Sequence, residues 1–266
     1  MSHAIDRRDH TADRATPQRL VELQEIAAQL SARLPGNPRL DVARVDSLTG
    51  NPALIGVGDL SSPAGSSLEQ SALAHVEQLR ALLGAAASST FAASAPATAS
   101  SGASSVPLRQ QDQRIDIFDA ALTARYSPDG ALVAIAGRTL TVAGLGPAPP
   151  TVAAPAAVET AAGEHAAFAA ELAGAVDAFG QPVRVPRVDP GQLGLRVVTV
   201  RSEPDRPTEL ADGPALRTPV RARLTWFGLG ELRLGWEVEF ATTGDDRAFR
   251  AVVDAADRTV LYWQPG

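Results

Sequence analysis

Arg114-Ile115-Asp116-Ile117-Phe118 leads into Ala121-Leu122-Thr123-Ala124-Arg125-Tyr126, and after Ser127-Pro128-Asp129-Gly130 the chain returns as Ala131-Leu132-Val133-Ala134-Ile135-Ala136. Proline presets φ for the start of a turn, and aspartate and glycine complete it. Two apolar runs separated by such a turn read as an antiparallel hairpin. This hairpin decides the fold class, because the segments around it supply helices without the regular strand–helix alternation of a parallel sheet.

Upstream, Leu68, Ala72, Leu73, Val76, Leu79, Leu82 and Leu83 recur at helical spacing. Ser66 and Glu69 stand three apart, the spacing of a capping box, and Gly84 supplies the stop. Between this helix and the hairpin, residues 85–105 are alanine, serine and threonine for the most part and read as a mobile loop. Before the helix, Leu40, Val42 and Val45, then Leu54, Ile55 and Val57, read as extended segments about a turn at Thr49-Gly50-Asn51-Pro52. Earlier still, Leu20, Leu23, Ile26, Ala27, Leu30 and Leu34 share one face of a helix that opens at Thr16-Pro17 and stops at Gly36. Residues 1–15 read as a polar, disordered leader; Arg7-Arg8 is followed by polar residues, so no secretion signal is visible.

Downstream the order repeats. Pro147, Pro149, Pro150 and Pro155 mark residues 144–157 as a linker. An alanine-rich helix spans about 158–179 and ends at Gly180. Strands follow near 195–201, 220–226, 232–240, 249–254 and 259–263, with turns at Gly228-Leu229-Gly230, Gly244-Asp245-Asp246 and Ala255-Ala256-Asp257. Trp226, Phe227, Trp236, Phe240, Phe249, Tyr262 and Trp263 concentrate here, so the best-filled core belongs to this second sheet. The expectation is α+β, each half a helix packed on a curved antiparallel sheet, with an extra helix over residues 16–36.

Composition bounds the chemistry. The 266 residues carry 30 acidic and 24 basic side chains, a net charge of −6, which argues against nucleic-acid binding. No apolar run is long enough to span a membrane as a helix. There is no cysteine, hence no disulfide and no thiolate chemistry, and every basic residue is arginine, which removes P-loop and Schiff-base lysines. His3, His10, His75 and His165 include no pair at i and i+4, so no H-E-x-x-H zinc site exists. Lone helical histidines such as His75 and His165 read as surface or half-buried polar residues. No G-x-S-x-G elbow, G-x-G-x-x-G or P-loop occurs. Asp245-Asp246 and Asp254…Asp257 fall at expected turns, where aspartate is favoured. The expectation is no catalytic residue, no metal site and no cofactor.

Leu108-Arg109-Gln110-Gln111-Asp112-Gln113-Arg114-Ile115-Asp116-Ile117-Phe118-Asp119-Ala120-Ala121-Leu122, with Tyr126-Ser127-Pro128-Asp129-Gly130 and Ala131–Gly137, resembles the FTP domain, the fungalysin/thermolysin propeptide. That family has a glutamine before an "IPVFGAEL"-like strand, then a hairpin closed by "DG" and a strand ending in glycine. Asp116 stands here in place of the family's proline and Asp119 in place of its glycine. Val45–Pro52 resembles the family's opening strand, and the 66–84 helix falls where the family has its helix. Further on, Arg223-Leu224-Thr225-Trp226 and Leu232-Arg233-Leu234-Gly235-Trp236-Glu237-Val238 resemble the "LVW…LRLAWEV" pattern of the PepSY-like second propeptide module. Phe249–Ala255 and Arg258–Trp263 resemble its closing hairpin, with Arg258 where the family carries glycine.

The resemblance implies two cystatin-like modules, FTP-like over 37–143 and PepSY-like over 158–266. It implies a pro-region that assists folding of a fungalysin/thermolysin-like zinc metallopeptidase, in cis or in trans, and inhibits it. In that family the end of the pro-region leads into the peptidase cleft, which here would make Tyr262, Trp263 and Gln264 partner contacts. Burial of Trp263 in the module's own core is the competing reading. Secretion would follow the family habit; the sequence itself leaves localisation open. The alternative is a non-enzymatic interaction or structural module with no peptidase partner, motivated by the missing signal and the extra helix, whose apolar stripe is suited to self-association.

Overall fold

A computed structural model describes residues 4–8, 13–62, 65–141, 149–173, 175, 193, 195–199, 208–211, 216–217, 219–229, 231–241 and 248–265. The protein is α+β, with few helices and antiparallel strand pairings throughout the ladders described below. It divides into two compact units. One comprises residues 8–145 and 229–232, the other residues 1–7, 146–228 and 233–266.

In the first unit α1 (Pro17–Ser31) starts where the sequence places it. Thr16 Oγ1 accepts the backbone N–H of Arg19 at 3.1 Å, and Pro17 occupies the first turn, where its missing N–H costs nothing. Leu23 and Ala27 are buried, with Leu20, Ile26, Leu30 and Leu34 packed beside them on the unit's own core. The stripe proposed for self-association is therefore occupied at home. The strands β2 (Arg39–Val45) and β3 (Pro52–Leu60) pair antiparallel about the expected turn.

The capping box of α2 (Leu68–Gln78) lies one residue later than the spacing suggests. Ser67, not Ser66, is the cap: its Oγ accepts Gln70 N–H, and Gln70 Oε1 accepts Ser67 N–H at 3.0 Å. Glutamine serves this role as well as glutamate. The helix breaks at Leu79, resumes as α3 (Arg80–Leu83), and ends at Gly84 with φ of 67°, a left-handed cap.

Residues 85–105 are not simply a loop. They contain β4 (Thr90–Ala93) and β5 (Ala97–Thr98), both paired with β6 (Ser104–Asp112), whose other edge pairs with β7 (Ile115–Tyr126). Small residues that cannot build a core still complete a ladder, because the hydrogen bonds come from the backbone. The β7 strand returns as β8 (Leu132–Gly137), which pairs with β3. Leu122, Ala124, Tyr126, Leu132, Ile135, Ile55 and Val42 face the helices and fill this core with Val76, Leu79, Leu82 and Leu83.

Two features of this sheet depart from the pattern. Gln113 (φ 50°) and Arg114 (φ 65°) form a two-residue hairpin turn between β6 and β7 without glycine or asparagine, so the sequence does not announce it. Asp119 sits at φ 58° inside β7, where the ladder with β6 slips between Arg109 and Gln111, a bulge.

The second unit is built on α4 (Ala154–Glu171), which begins inside the stretch read as a linker. Pro155, one of the prolines that mark the expected linker, lies in the first helical turn instead. The expected helix end at Phe179 and Gly180 falls outside the described residues. Strands β9 (Arg196–Thr199), β10 (Thr208–Ala211), β11 (Val220–Leu229), β12 (Glu231–Ala241), β13 (Ala248–Asp254) and β14 (Val260–Pro265) follow as neighbours in sequence order. Thr208–Ala211 was not foreseen. The expected turn at 244–246 lies outside the described residues. Ala157, Val158, Ala161, Ala162 and Phe168 of α4 pack on Val220, Ala222, Val238, Phe240, Phe249, Ala251, Val253 and Trp263. Alanines on the helix let it approach the sheet closely, and the sheet's aromatics fill the volume.

The leader is not wholly disordered. Ile5–Asp6 forms a short strand, β1, paired antiparallel with β14 in the register Ile5↔Trp263 and Asp6↔Tyr262. Ile5 is the apolar residue in this polar stretch that packs against the core of the second unit. Among the described residues no helix is long and apolar enough to cross a membrane.

Candidate functional site

The residues expected to touch a partner lie on β14, and strand alternation separates them. Trp263 points into the core and is wholly buried, its ring 5.1 Å from that of Phe168 and 5.8 Å from that of Phe249, stacked on the latter. It closes the unit's own core and is not available as an anchor. Tyr262, on the opposite face, is also buried, and its hydroxyl donates to Gln264 Oε1. Gln264 is exposed and pairs across the ladder with Arg250. Of the three, Gln264 alone offers its side chain to solvent.

The backbone of β14 is the more informative part. One edge pairs with β13 and the other with β1. Beyond the two paired residues, Arg7 N–H donates to Leu261 O at 3.0 Å and Arg7 Nε donates to Val260 O at 2.6 Å. The segment 4–7 therefore lies along β14 as an added strand. Sequence reading missed this because two residues carry no periodicity; the one signal is an isolated isoleucine among polar neighbours.

Across β13 from β14, Glu237 on β12 is 2% exposed and held by two arginines. Arg223 Nε donates to Oε2 at 2.7 Å and Arg250 Nε to Oε1 at 2.7 Å. Burial alone pushes this carboxyl up; the hydrogen bonds and charges of Arg223 and Arg250 outweigh it and hold the group below its ordinary value. The turn after β13 uses aspartates as the sequence suggests: Ala256 N–H donates to Asp254 Oδ1 and Thr259 N–H to Asp257 Oδ1, each at 2.8 Å. Arg258 closes this turn at φ 66°. Asp245-Asp246 lies outside the described residues.

Both helical histidines are fully buried, contrary to the surface reading. His75 lies between Tyr126 Oη, 3.1 Å from Nδ1, and Ser61 O, 3.3 Å from Nε2. A carbonyl accepts only, so Nε2 carries the proton and Nδ1 accepts from the tyrosine. Burial lowers the His75 pKa and raises that of Tyr126 to about 12. His165 lies among aromatics, its ring 4.2 Å from that of Phe249. Among the described residues no three His, Asp or Glu side chains converge to hold a metal.

A further polar cluster fastens the end of the first unit. Gln110 Oε1 accepts Leu140 N–H at 2.8 Å while its Nε2 donates to Leu140 O at 2.7 Å and to Ser89 Oγ at 3.0 Å. Asn51 Nδ2 donates to Thr139 O at 3.0 Å, and Thr139 Oγ1 donates to Leu83 O. These are structural bonds, all buried.

No family model matches the chain, and no curated protein sequence matches it. Among solved structures, the C-terminal domain of YpeB from Bacillus megaterium is similar with a TM-score of 0.33 and 10% sequence identity, over 94% of this chain and 97% of that one.

Proposed function

We propose that this chain is a non-enzymatic, propeptide-type module that binds a fungalysin/thermolysin-like metallopeptidase, inhibiting it and assisting its folding. The observation that carries the proposal is conformational. The family patterns place glycine at the positions held here by Asp119 and Arg258, and both residues adopt positive φ, 58° and 66°. L-residues seldom enter that region, and glycine enters it freely. A backbone that favours glycine at both positions supports the likeness to those patterns. The recurrence of a helix packed on antiparallel strands in each unit fits two cystatin-like modules in the same order.

Binding in this reading comes from surface and strand complementarity and not from an aromatic anchor, since Trp263 is committed to the core. The test mixes the purified full chain with a fungalysin-like peptidase and follows hydrolysis of a peptide substrate. Inhibition at micromolar chain, together with a raised yield of active peptidase on refolding, is expected. Unchanged activity and unchanged yield overturn the reading.

A further inference from the structure

We propose that the outer edge of β14 is a strand-docking site for an extended peptide with an apolar residue followed two positions later by arginine, and that the chain's own Ala4–Arg7 segment occupies it. This inference does not depend on the peptidase reading.

Val260-Leu261-Tyr262-Trp263-Gln264-Pro265 carries no charge. A bare apolar edge of this kind pairs readily with any extended chain, and proteins shield such edges with charges, bulges or a covering element. Here the shield is brought from the other end of the sequence. Two paired residues, the Ile5 side chain and two hydrogen bonds from Arg7 contribute to its hold, and the next residue, Arg8, is ion-paired to Asp119 at 3.1 Å.

The seated segment defines the ligand. Ile5 pairs opposite Trp263 and packs on the apolar core, so the first position calls for an aliphatic side chain. Asp6 lies opposite Tyr262 on the alternate face. Arg7 carries on the ladder through its N–H and sends its Nε to the Val260 carbonyl, a bond that a shorter or acidic side chain does not make. Backbone pairing gives affinity and the alternate side chains give selectivity, as in other strand additions. Because the covering segment is tethered, it competes at high effective concentration, and an outside peptide gains the site only when the cover is weakened.

The experiment uses the full chain and its Ile5→Asp variant, with a labelled synthetic peptide of residues 2–9 followed by fluorescence anisotropy. Ile5→Asp is expected to bind the peptide at least tenfold more tightly than the unaltered chain, and a peptide with the same Ile5→Asp change is expected not to bind. Equal binding to both proteins, or none to a variant that keeps its circular dichroism, overturns the proposal. Dimerisation of the variant in sedimentation without peptide binding also overturns it, because the occupant is then a second copy. Should Ile5→Asp fail to fold, Arg7→Ala is read by hydrogen exchange. Faster exchange confined to the Leu261–Trp263 amides supports the proposal, and unchanged exchange there refutes it.

Discussion

Arg258→Gly is expected to stabilise the protein, although it removes a whole side chain. Arg258 is exposed and closes the turn between β13 and β14 at φ 66°, its N–H bonded to Asp254 O at 3.2 Å. An L-residue in the left-handed region costs roughly 1–2 kcal/mol. Glycine relieves that cost but loses more conformational entropy on folding, roughly 0.5–1 kcal/mol. The difference leaves a gain of about 0.5–1 kcal/mol, or roughly 1–4 °C in melting temperature for a chain of this size. The control is Arg258→Ala, which deletes the same charge and keeps the strained backbone. Urea unfolding of the two variants and the parent, followed by tryptophan fluorescence, separates the effects. If alanine and glycine give the same midpoint, or glycine lowers it, backbone strain at this turn is not what the residue bears, and the support it lends to the propeptide reading falls with it.

Gly84→Ala is expected to cost about 2–5 kcal/mol in urea unfolding: its φ of 67° disfavours a side chain, and the added Cβ would stand 2.3 Å from Asn51 Oδ1, breaking the Asn51–Thr139 bond. Gly84→Ala with Asn51→Ala should then cost less than the sum of the two singles. Burial keeps the folded-state pKa of His75 below its ordinary 6.5, so the unfolded chain takes up the proton first as pH falls. Stability from this residue is full above pH 6.5 and declines below it, and thermal melts between pH 7.5 and 5 should show a shallower decline for His75→Gln, as rough working limits. Glu237 has a lowered pKa, so its contribution is complete above the ordinary carboxylate value and is lost on acidification. Glu237→Gln is expected to cost about 1–3 kcal/mol at neutral pH and to flatten the acid limb of the stability profile.

The helices were legible because three- and four-residue spacing survives in Leu20–Leu34 and Leu68–Leu83 whatever surrounds them. Strands were legible where branched and aromatic residues meet a marked turn, as at Ser127–Gly130. They were hidden in 85–105, where alanine, serine and threonine hold their place only because β6 lies alongside. Ladder partners far apart in sequence leave no local trace, which is why Ile5–Asp6 read as leader. The orientation of the candidate contacts was hidden in a similar way. An aromatic pair near the chain's end suggested an anchor, but only the register Ala251↔Trp263, placing the indole on the face of the α4 core, tells which way it points.

Gln110 has a practical bearing on dissecting the molecule. By ladder alone the first unit ends with β8 at Gly137. A fragment excised at that boundary would strip the Leu140 backbone from the Gln110 amide, leaving it only Ser89, and the Thr139 carbonyl from the Asn51 amide, at about 1–3 kcal/mol each. The true hem of this unit is sewn by side chains, at least as far as Leu140.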